Sequence, residues 1–273
     1  MFDFRQSKWW ADYLKNRGWL VDEIRSTDGK HKIQVLVVKI GWWPFGMLKV
    51  QRSDYDPDFT DLRRVQRKYR AINTVVEPLK IQNIENFKKA GFRLTKYPFL
   101  ATKTVVIDIS KPETTLWKEL SENAKRLIKK NNKLEVEEMD KKEFYEYWKK
   151  YTKVWIQTPK ELDDLLKAFG KRAKLWGVKD GKGYHSGLLT LETEDTINYY
   201  QTWTSDLGRI SGGHFKLVWE TMLWAKKIGK KFYDFEGIYD PAYPIKKWKG
   251  FTEFKKKFGG WIETHPGCYV RWF

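Results

Sequence analysis

The run LWGVKDGKGYHSGLLTLETEDTINYYQT, residues 175–202, alternates apolar and polar positions, breaks at Asp180-Gly181 and resumes twice. A period of two marks a half-buried strand, and a break carrying Asp-Gly marks a hairpin turn. The run therefore predicts an antiparallel meander with strands at 175–179, 187–192 and 196–202. A long helix is expected at 213–228, where Phe215, Val218, Trp219, Met222 and Ala225 share one face and Gly229 supplies the stop. A strand at 231–235 leaves it and ends in a Gly-containing loop. Upstream, a strand at 105–109 feeds a helix that Ser110-Lys111-Pro112-Glu113 opens and that runs to Asn131. Its stripe of Leu116, Leu120 and Leu127 faces the core, so Lys125, Arg126, Lys129 and Lys130 project outward. Two further helices are expected at 141–153 and 159–169.

The first hundred residues follow a similar, shorter order. Trp9, Trp10, Tyr13 and Leu14 recur at helical spacing before Gly18, and strands are predicted at 19–25, 32–40, 47–51 and 74–77. Helices are expected at 58–71 and 83–90. The segment Gly41-Trp42-Trp43-Pro44-Phe45-Gly46-Met47 reads as a turn packed on the core, with contact at lipid headgroups as its alternative. Strand, helices, meander, helix, strand is the order of an N-acetyltransferase-type core, and the first hundred residues look like a shortened copy of it. The expected fold class is thus α/β, two N-acetyltransferase-like (GNAT) domains at 1–103 and 104–261 packed directly, since no Pro, Gly or Ser linker parts them.

Composition narrows the function classes. An excess of 53 Lys and Arg over 35 Asp and Glu gives a formal charge of +18, which favours polyanions such as tRNA, nucleotide diphosphates or anionic headgroups. The lone Cys268 excludes an intramolecular disulfide framework and a multi-cysteine zinc site, and the four scattered histidines lack ligand spacing, so no metal is expected. No apolar run approaches the ~18 residues of a membrane span, and the N-terminus lacks a signal-peptide core, which predicts a soluble cytoplasmic protein.

The densest group of informative residues runs Phe232-Tyr233-Asp234-Phe235-Glu236-Gly237-Ile238 and then Gly250-Phe251-Thr252-Glu253-Phe254-Lys255-Lys256-Lys257-Phe258-Gly259-Gly260. This pattern resembles the C-terminal signature of the FemABX peptidoglycan-bridge peptidyltransferases. Further likeness lies in Gln6-Ser7-Lys8-Trp9 with Lys15, in Leu120-Ser121-Glu122-Asn123-Ala124-Lys125-Arg126, and in Tyr199-Tyr200 followed by Trp219-Glu220 and Ala225-Lys226-Lys227. The resemblance implies tandem GNAT domains, with the C-terminal strand 262–273 able to return to the first. It implies transfer of an amino acid from aminoacyl-tRNA, as cosubstrate and with no other cofactor, to an amine of a nucleotide- or lipid-linked cell-wall peptide precursor. Peripheral contact with a membrane surface is compatible with it. The coiled-coil arm of some members is absent, because no heptad array appears. Glu236 stands where many members carry a small residue or Gly.

By the same resemblance Lys255 is the principal candidate, an ammonium placed where an oxyanion develops; the run Lys255-Lys256-Lys257 taken alone reads as a solvated face. Asp234, Glu236 and Asp240 lie at a strand end, where one of them could take a proton from the attacking amine, or each could simply form a turn. Lys15 is a candidate for a diphosphate or tRNA phosphate, and Tyr199, Tyr200, Phe254 and Asp240 for substrate binding. Tyr199 and Tyr200 should face opposite sides of one strand. Gly237 should permit close backbone approach at the strand exit. A rival motif, Arg209-Ile210-Ser211-Gly212-Gly213-His214, partly matches the pyrophosphate loop of acyl-CoA N-acetyltransferases, although His214 replaces a small residue and a plain glycine turn fits as well. The alternatives are therefore an acyl-CoA-dependent N-acyltransferase or an inactive relative binding RNA or a membrane surface.

Overall fold

A computed structural model describes residues 3–39, 45–152 and 156–272. The chain divides into two compact units. The first holds the residues up to 103 together with 239–245 and those from 264 on; the second holds 104–238 and 246–263. Segment 239–245, which the sequence groups with the second domain, thus belongs to the first.

In the first unit, Ser7 caps α1 (Lys8–Asn16) by accepting from the Trp10 N–H. Strands β1 (Leu20–Arg25), β2 (Lys32–Lys39) and β3 (Gly46–Gln51) form an antiparallel meander. Helix α2 (Phe59–Lys68), capped by Asp58, crosses over to β4 (Ala71–Glu77), which lies parallel to β3. Helix α3 (Ile84–Lys89) and the short β5 (Arg93–Leu94) follow. Alternate residues Ile33, Val35 and Val37 of β2, with Leu48, Val50, Val76, Leu62, Val65 and Phe87, bury one face of this sheet as its core. Residues 40–44, most of the Trp-Trp-Pro turn, lie outside the described residues; Phe45 is exposed and Gly46 already starts β3.

The second unit begins at β6 (Lys103–Asp108). The single helix expected at 110–131 is instead two, α4 (Glu113–Glu119) and α5 (Glu122–Lys130). Leu120 takes an extended conformation, and the Ser121 side chain caps α5 by accepting from the Ala124 N–H. The Ser121 N–H meanwhile bonds the Lys257 carbonyl, so the chain turns at a capping serine that helical periodicity alone reads straight through. Next come β7 (Glu135–Glu138), α6 (Lys141–Tyr151) and α7 (Pro159–Phe169), the last opened by a Thr158/Glu161 capping box. The expected meander is β8 (Ala173–Asp180), β9 (Gly183–Glu192) and β10 (Thr196–Thr204). A short helix α8 (Asp206–Ser211) precedes α9 (Gly213–Lys227), and β11 (Phe232–Gly237) follows. Helix α10 (Lys249–Lys256) and β12 (Trp261–Thr264) close the unit.

The sheet order is β12-β6-β11-β10-β9-β8-β7. β13 (Tyr269–Trp272) enters the other sheet, ordered β1-β2-β3-β4-β13-β5. The C-terminal stretch is therefore not one strand at 262–273 but two, one in each sheet. Both sheets share a meander whose third strand lies parallel to the strand delivered by the next crossover, and among the described residues no coiled coil is evident. Among the described residues no helix is long and apolar enough to cross a membrane.

Candidate active site

The parallel pair β10–β11 is joined only over Thr196↔Phe232, Ile197↔Tyr233 and Asn198↔Asp234. Beyond that point β10 continues along β9 and β11 along β6, so the two strands part. Each is bulged where they part. Tyr200 is an extra residue between Tyr199↔Thr190 and Gln201↔Leu189, and the pairing of β11 with β6 jumps from Asp234↔Val106 to Gly237↔Thr104. A bulge bends its strand and re-aims side chains, and two at one opening make a gap in the sheet.

Helix α10 supplies the side chain that meets this gap. Phe251 and Phe254 of this helix and Phe258 just beyond it recur at helical spacing, Lys255 falls within the same stripe, and the side that packs Phe254 and Phe258 also buries the lysine, to 7% exposure. The Lys255 ammonium donates to the Gly237 carbonyl at 2.7 Å and lies over the Tyr199 ring, 5.5 Å from its centroid, and over Phe251 at 5.7 Å. Burial pulls its pKa down to about 8, while the carboxylates of Glu236 and Asp234 pull the other way. Its neighbours differ. Lys256 is exposed beside Glu253, and Lys257 lies over Phe215.

Asp234 braces the bulge of β11. Its carboxylate accepts from the Glu236 N–H at 2.7 Å and from the Thr104 hydroxyl, which also lies 2.6 Å from the Glu236 carbonyl. The positive φ at this strand exit falls on Glu236, at 59°, and not on Gly237, whose observed part is to offer its carbonyl to Lys255. A non-glycine residue held there is strained, and strain of this kind gathers at functional sites.

Tyr199 is buried in the core, and its hydroxyl lies 2.6 Å from Nε2 of His214, whose Nδ1 lies 2.5 Å from the Ser186 hydroxyl. Burial, and then the Lys255 charge, push the pKa of His214 down to about 3, so the ring is neutral. Tyr200, the bulge residue, is half-buried. Phe254 packs on His214, Phe215 and Phe258.

Two candidates lie in the first unit. Asp240 accepts from Thr102 at 2.6 Å and from the Ala242 N–H, with Lys103 at 3.2 Å; burial raises its pKa but these partners hold it below the usual carboxylate range. Lys15 is exposed on α1 and lies 3.4 Å from Asp12. The gap of the second unit thus gathers Lys255, Tyr199, Tyr200, Phe254, Glu236 and Asp234. It also gathers Thr104, Ser186 and His214, which the sequence did not single out as site residues. For His214 the available signal was a polar residue starting the buried face of α9.

The glycine-rich rival loop is filled. A Cβ on Gly208 would stand 1.9 Å from the His185 carbonyl, and one on Gly212 would meet the Leu127 side chain at 2.9 Å. The Gly212 N–H bonds the Gly208 carbonyl and the Gly213 N–H bonds the Ser211 hydroxyl, so these donors serve the chain itself. The first unit carries its own hollow of about 540 Å³, whose lining includes Asn73, Arg93, Lys96, Tyr97, Phe99 and Trp272.

Comparison with known proteins gives a match of the FemAB family model to residues 106–270. Among solved structures, FemX aligns with a TM-score of 0.82 at 15% identity, covering 99% of this chain and 92% of that one. The C-terminal domain (DUF2156) of a putative lysylphosphatidylglycerol synthetase from Agrobacterium fabrum aligns at 0.59 and 11% identity, covering 98% and 87%. A tandem GNAT protein from the clavulanic acid biosynthesis pathway aligns at 0.53 and 10%, covering 93% and 83%. At these identities the structural likeness is one of fold. No curated protein sequence matches the chain.

Proposed function

We propose, from the premise that this chain belongs to the FemAB family, that it is an aminoacyltransferase moving an amino acid from aminoacyl-tRNA to an amine of a cell-wall peptide precursor. Membership gives the coarse class, a transferase of the peptidoglycan-bridge kind; donor and acceptor are the finer reading. The observation that carries it is the Lys255 ammonium, buried where β10 and β11 part and bonded to the Gly237 carbonyl.

The donor ester is already activated. The neutral acceptor amine attacks its carbonyl carbon, a C–N bond forms, and negative charge gathers on the carbonyl oxygen. A buried cation beside that oxygen is worth far more than one in water, because low polarity strengthens the attraction and no solvent must reorganise. Collapse of the intermediate breaks the ester C–O bond, and the proton lost by the amine ends on the departing ribose oxygen. Glu236, half-exposed and on the same strand exit, is the group suited to carry that proton. Proximity and oxyanion stabilisation suffice without a covalent enzyme intermediate. The net +18 supports a polyanionic donor.

The test is single-turnover transfer from charged tRNA to a precursor peptide, with donor binding followed against salt. Transfer with an affinity that falls steeply as salt rises is expected. Salt-insensitive binding of acetyl-CoA, with acetyl transfer and no tRNA affinity, would overturn the reading in favour of acyl-CoA.

A further inference from the structure

The hydroxyl of Ser186, on a residue fully buried in β9, has His214 Nδ1 as the acceptor in its reach among the described residues. A buried hydroxyl hydrogen left without an acceptor is costly, so Ser186 donates and Nδ1 is the bare nitrogen. His214 is then protonated on Nε2, and that N–H donates to the Tyr199 oxygen at 2.6 Å. The Thr202 hydroxyl, whose own hydrogen is committed to the Gly187 carbonyl at 2.8 Å, lies 3.5 Å from the same Nε2.

The bonds therefore run in one direction, from Ser186 through His214 to the Tyr199 oxygen. Tyr199 and Thr202 can share a face only because Tyr200 is an extra residue in the strand; regular alternation would set residues three apart on opposite sides. What Tyr199 presents to Lys255 is its ring.

We infer that Ser186 and His214 are positioning residues for the transfer: their one-way hydrogen-bond chain holds the ring of Tyr199, and not its hydroxyl, as the surface that carries the Lys255 ammonium. This rests on the proposed role of Lys255 in oxyanion stabilisation. A cation over an aromatic face is held by the ring quadrupole, so the charged form of Lys255 is favoured while the ring stays in place. The other charged or titratable groups facing it are Glu236 and Asp234 from β11 and the neutral His214 from α9.

The experiment is an NMR titration of the Lys255 side chain in the full protein without substrate, its signal assigned from the difference with Lys255→Met. Tyr199→Phe keeps the ring and is expected to leave the midpoint in place. Tyr199→Leu is expected to lower it by roughly half to one and a half pH units, the range of a desolvated cation–π contact. His214→Phe, which keeps bulk but cuts the chain, should lower it by part of that amount, and the alkaline limb of kcat should move equally in each variant. Equal shifts for Tyr199→Phe and Tyr199→Leu would place the effect in the hydroxyl and overturn the inference, as would no shift in Tyr199→Leu. If His214→Phe does not fold, the Tyr199 pair still decides. Because the titration needs no substrate, it separates the two claims. A ring effect without transfer from tRNA sinks only the donor reading, and transfer without a ring effect sinks only the positioning.

Discussion

The two units build the same parallel pair and treat it differently. In the first, β3 and β4 stay paired from Gly46↔Ala71 to Gln51↔Glu77, and the Arg52 N–H extends the contact to the Glu77 carbonyl. In the second, β10 and β11 part after Asn198↔Asp234. Each unit also lays a lysine over aromatic rings, half-buried Lys49 over Phe99 and Trp19, buried Lys255 over Tyr199 and Phe251. Burial lowers the pKa of both. A lysine laid over aromatic rings with a lowered pKa is therefore not in itself the mark of a reaction centre here. What distinguishes Lys255 is that its sheet is opened beside it, leaving backbone carbonyl and ammonium together where β10 and β11 part.

The largest effect should come from the lysines themselves. Lys255→Met is expected to slow the chemical step about a hundred- to a thousandfold in single-turnover transfer with saturating substrates, the usual cost of losing one oxyanion partner. Lys49→Met, Lys256→Met and Lys257→Met should each stay within roughly threefold, since none of them meets the gap. Comparable losses at Lys49 and Lys255 would end the distinction between the units.

Backbone closure offers the next contrast, read by urea unfolding. Gly260 has φ 77°, and an added Cβ would stand 2.1 Å from the Val106 carbonyl, so Gly260→Ala should cost about 2–4 kcal/mol. Gly91 has φ 85° with its nearest neighbour, an Arg271 side-chain nitrogen, at 3.6 Å; Gly91→Ala should cost about 1–2 kcal/mol, the backbone term alone.

A smaller effect tests the brace. Thr104→Val removes the hydroxyl between Asp234 and the Glu236 carbonyl, and is expected to cost about 1–2 kcal/mol and to slow transfer roughly tenfold as the bulge relaxes. Unchanged transfer with lowered stability would make the bulge a fold feature only.

The mildest test is pH. The Lys255 charge is lost as pH rises through about 8, so turnover should halve near that point on the alkaline side. Stability should move the opposite way. The folded lysine is neutral above about 8, whereas the unfolded one holds its proton up to its ordinary value of 10.5. Between those limits the unfolded state binds more protons, and this group's contribution to stability rises with pH. Alkaline loss of activity accompanied by lost structure would contradict the assignment.

Much of this was legible in the residues. The period of two at 175–202, the buried face of α9 and the stop at Gly229 fix the second sheet's meander and crossover, because strong periodicity and glycine punctuation are local signals. The singling out of Lys255 came from the family resemblance, yet Phe251, Phe254, Lys255 and Phe258 already stand in an i, i+3, i+4, i+7 stripe that sets Lys255 apart from Lys256 and Lys257. The parting of β10 from β11 was not legible, since a bulge is settled by pairing partners far along the chain. The chain crossing at 239–245 was equally hidden, and with it went Asp240, which looked like a neighbour of Glu236 and sits in the other unit on Thr102 and Lys103. His214 was weighed only as a misfit in a phosphate loop, because its partners Ser186 and Tyr199 come from two different strands.

The placement of β13 carries a consequence for synthesis. It pairs with β4 through Tyr269↔Val76 to Trp272↔Asn73 and with β5 through Tyr269↔Leu94 and Val270↔Arg93, standing between strands made some two hundred residues earlier. On the ribosome β4 leaves the tunnel long before its partner exists. Through most of translation it presents an open edge, the kind of surface that recruits stray strands. The second unit has its full sequence once residue 263 has emerged, ahead of residues 269–272. The unit whose strands are made first is thus finished after the other, and a chain halted between residues 263 and 269 would carry the second unit whole and the edges of β4 and β5 unsealed.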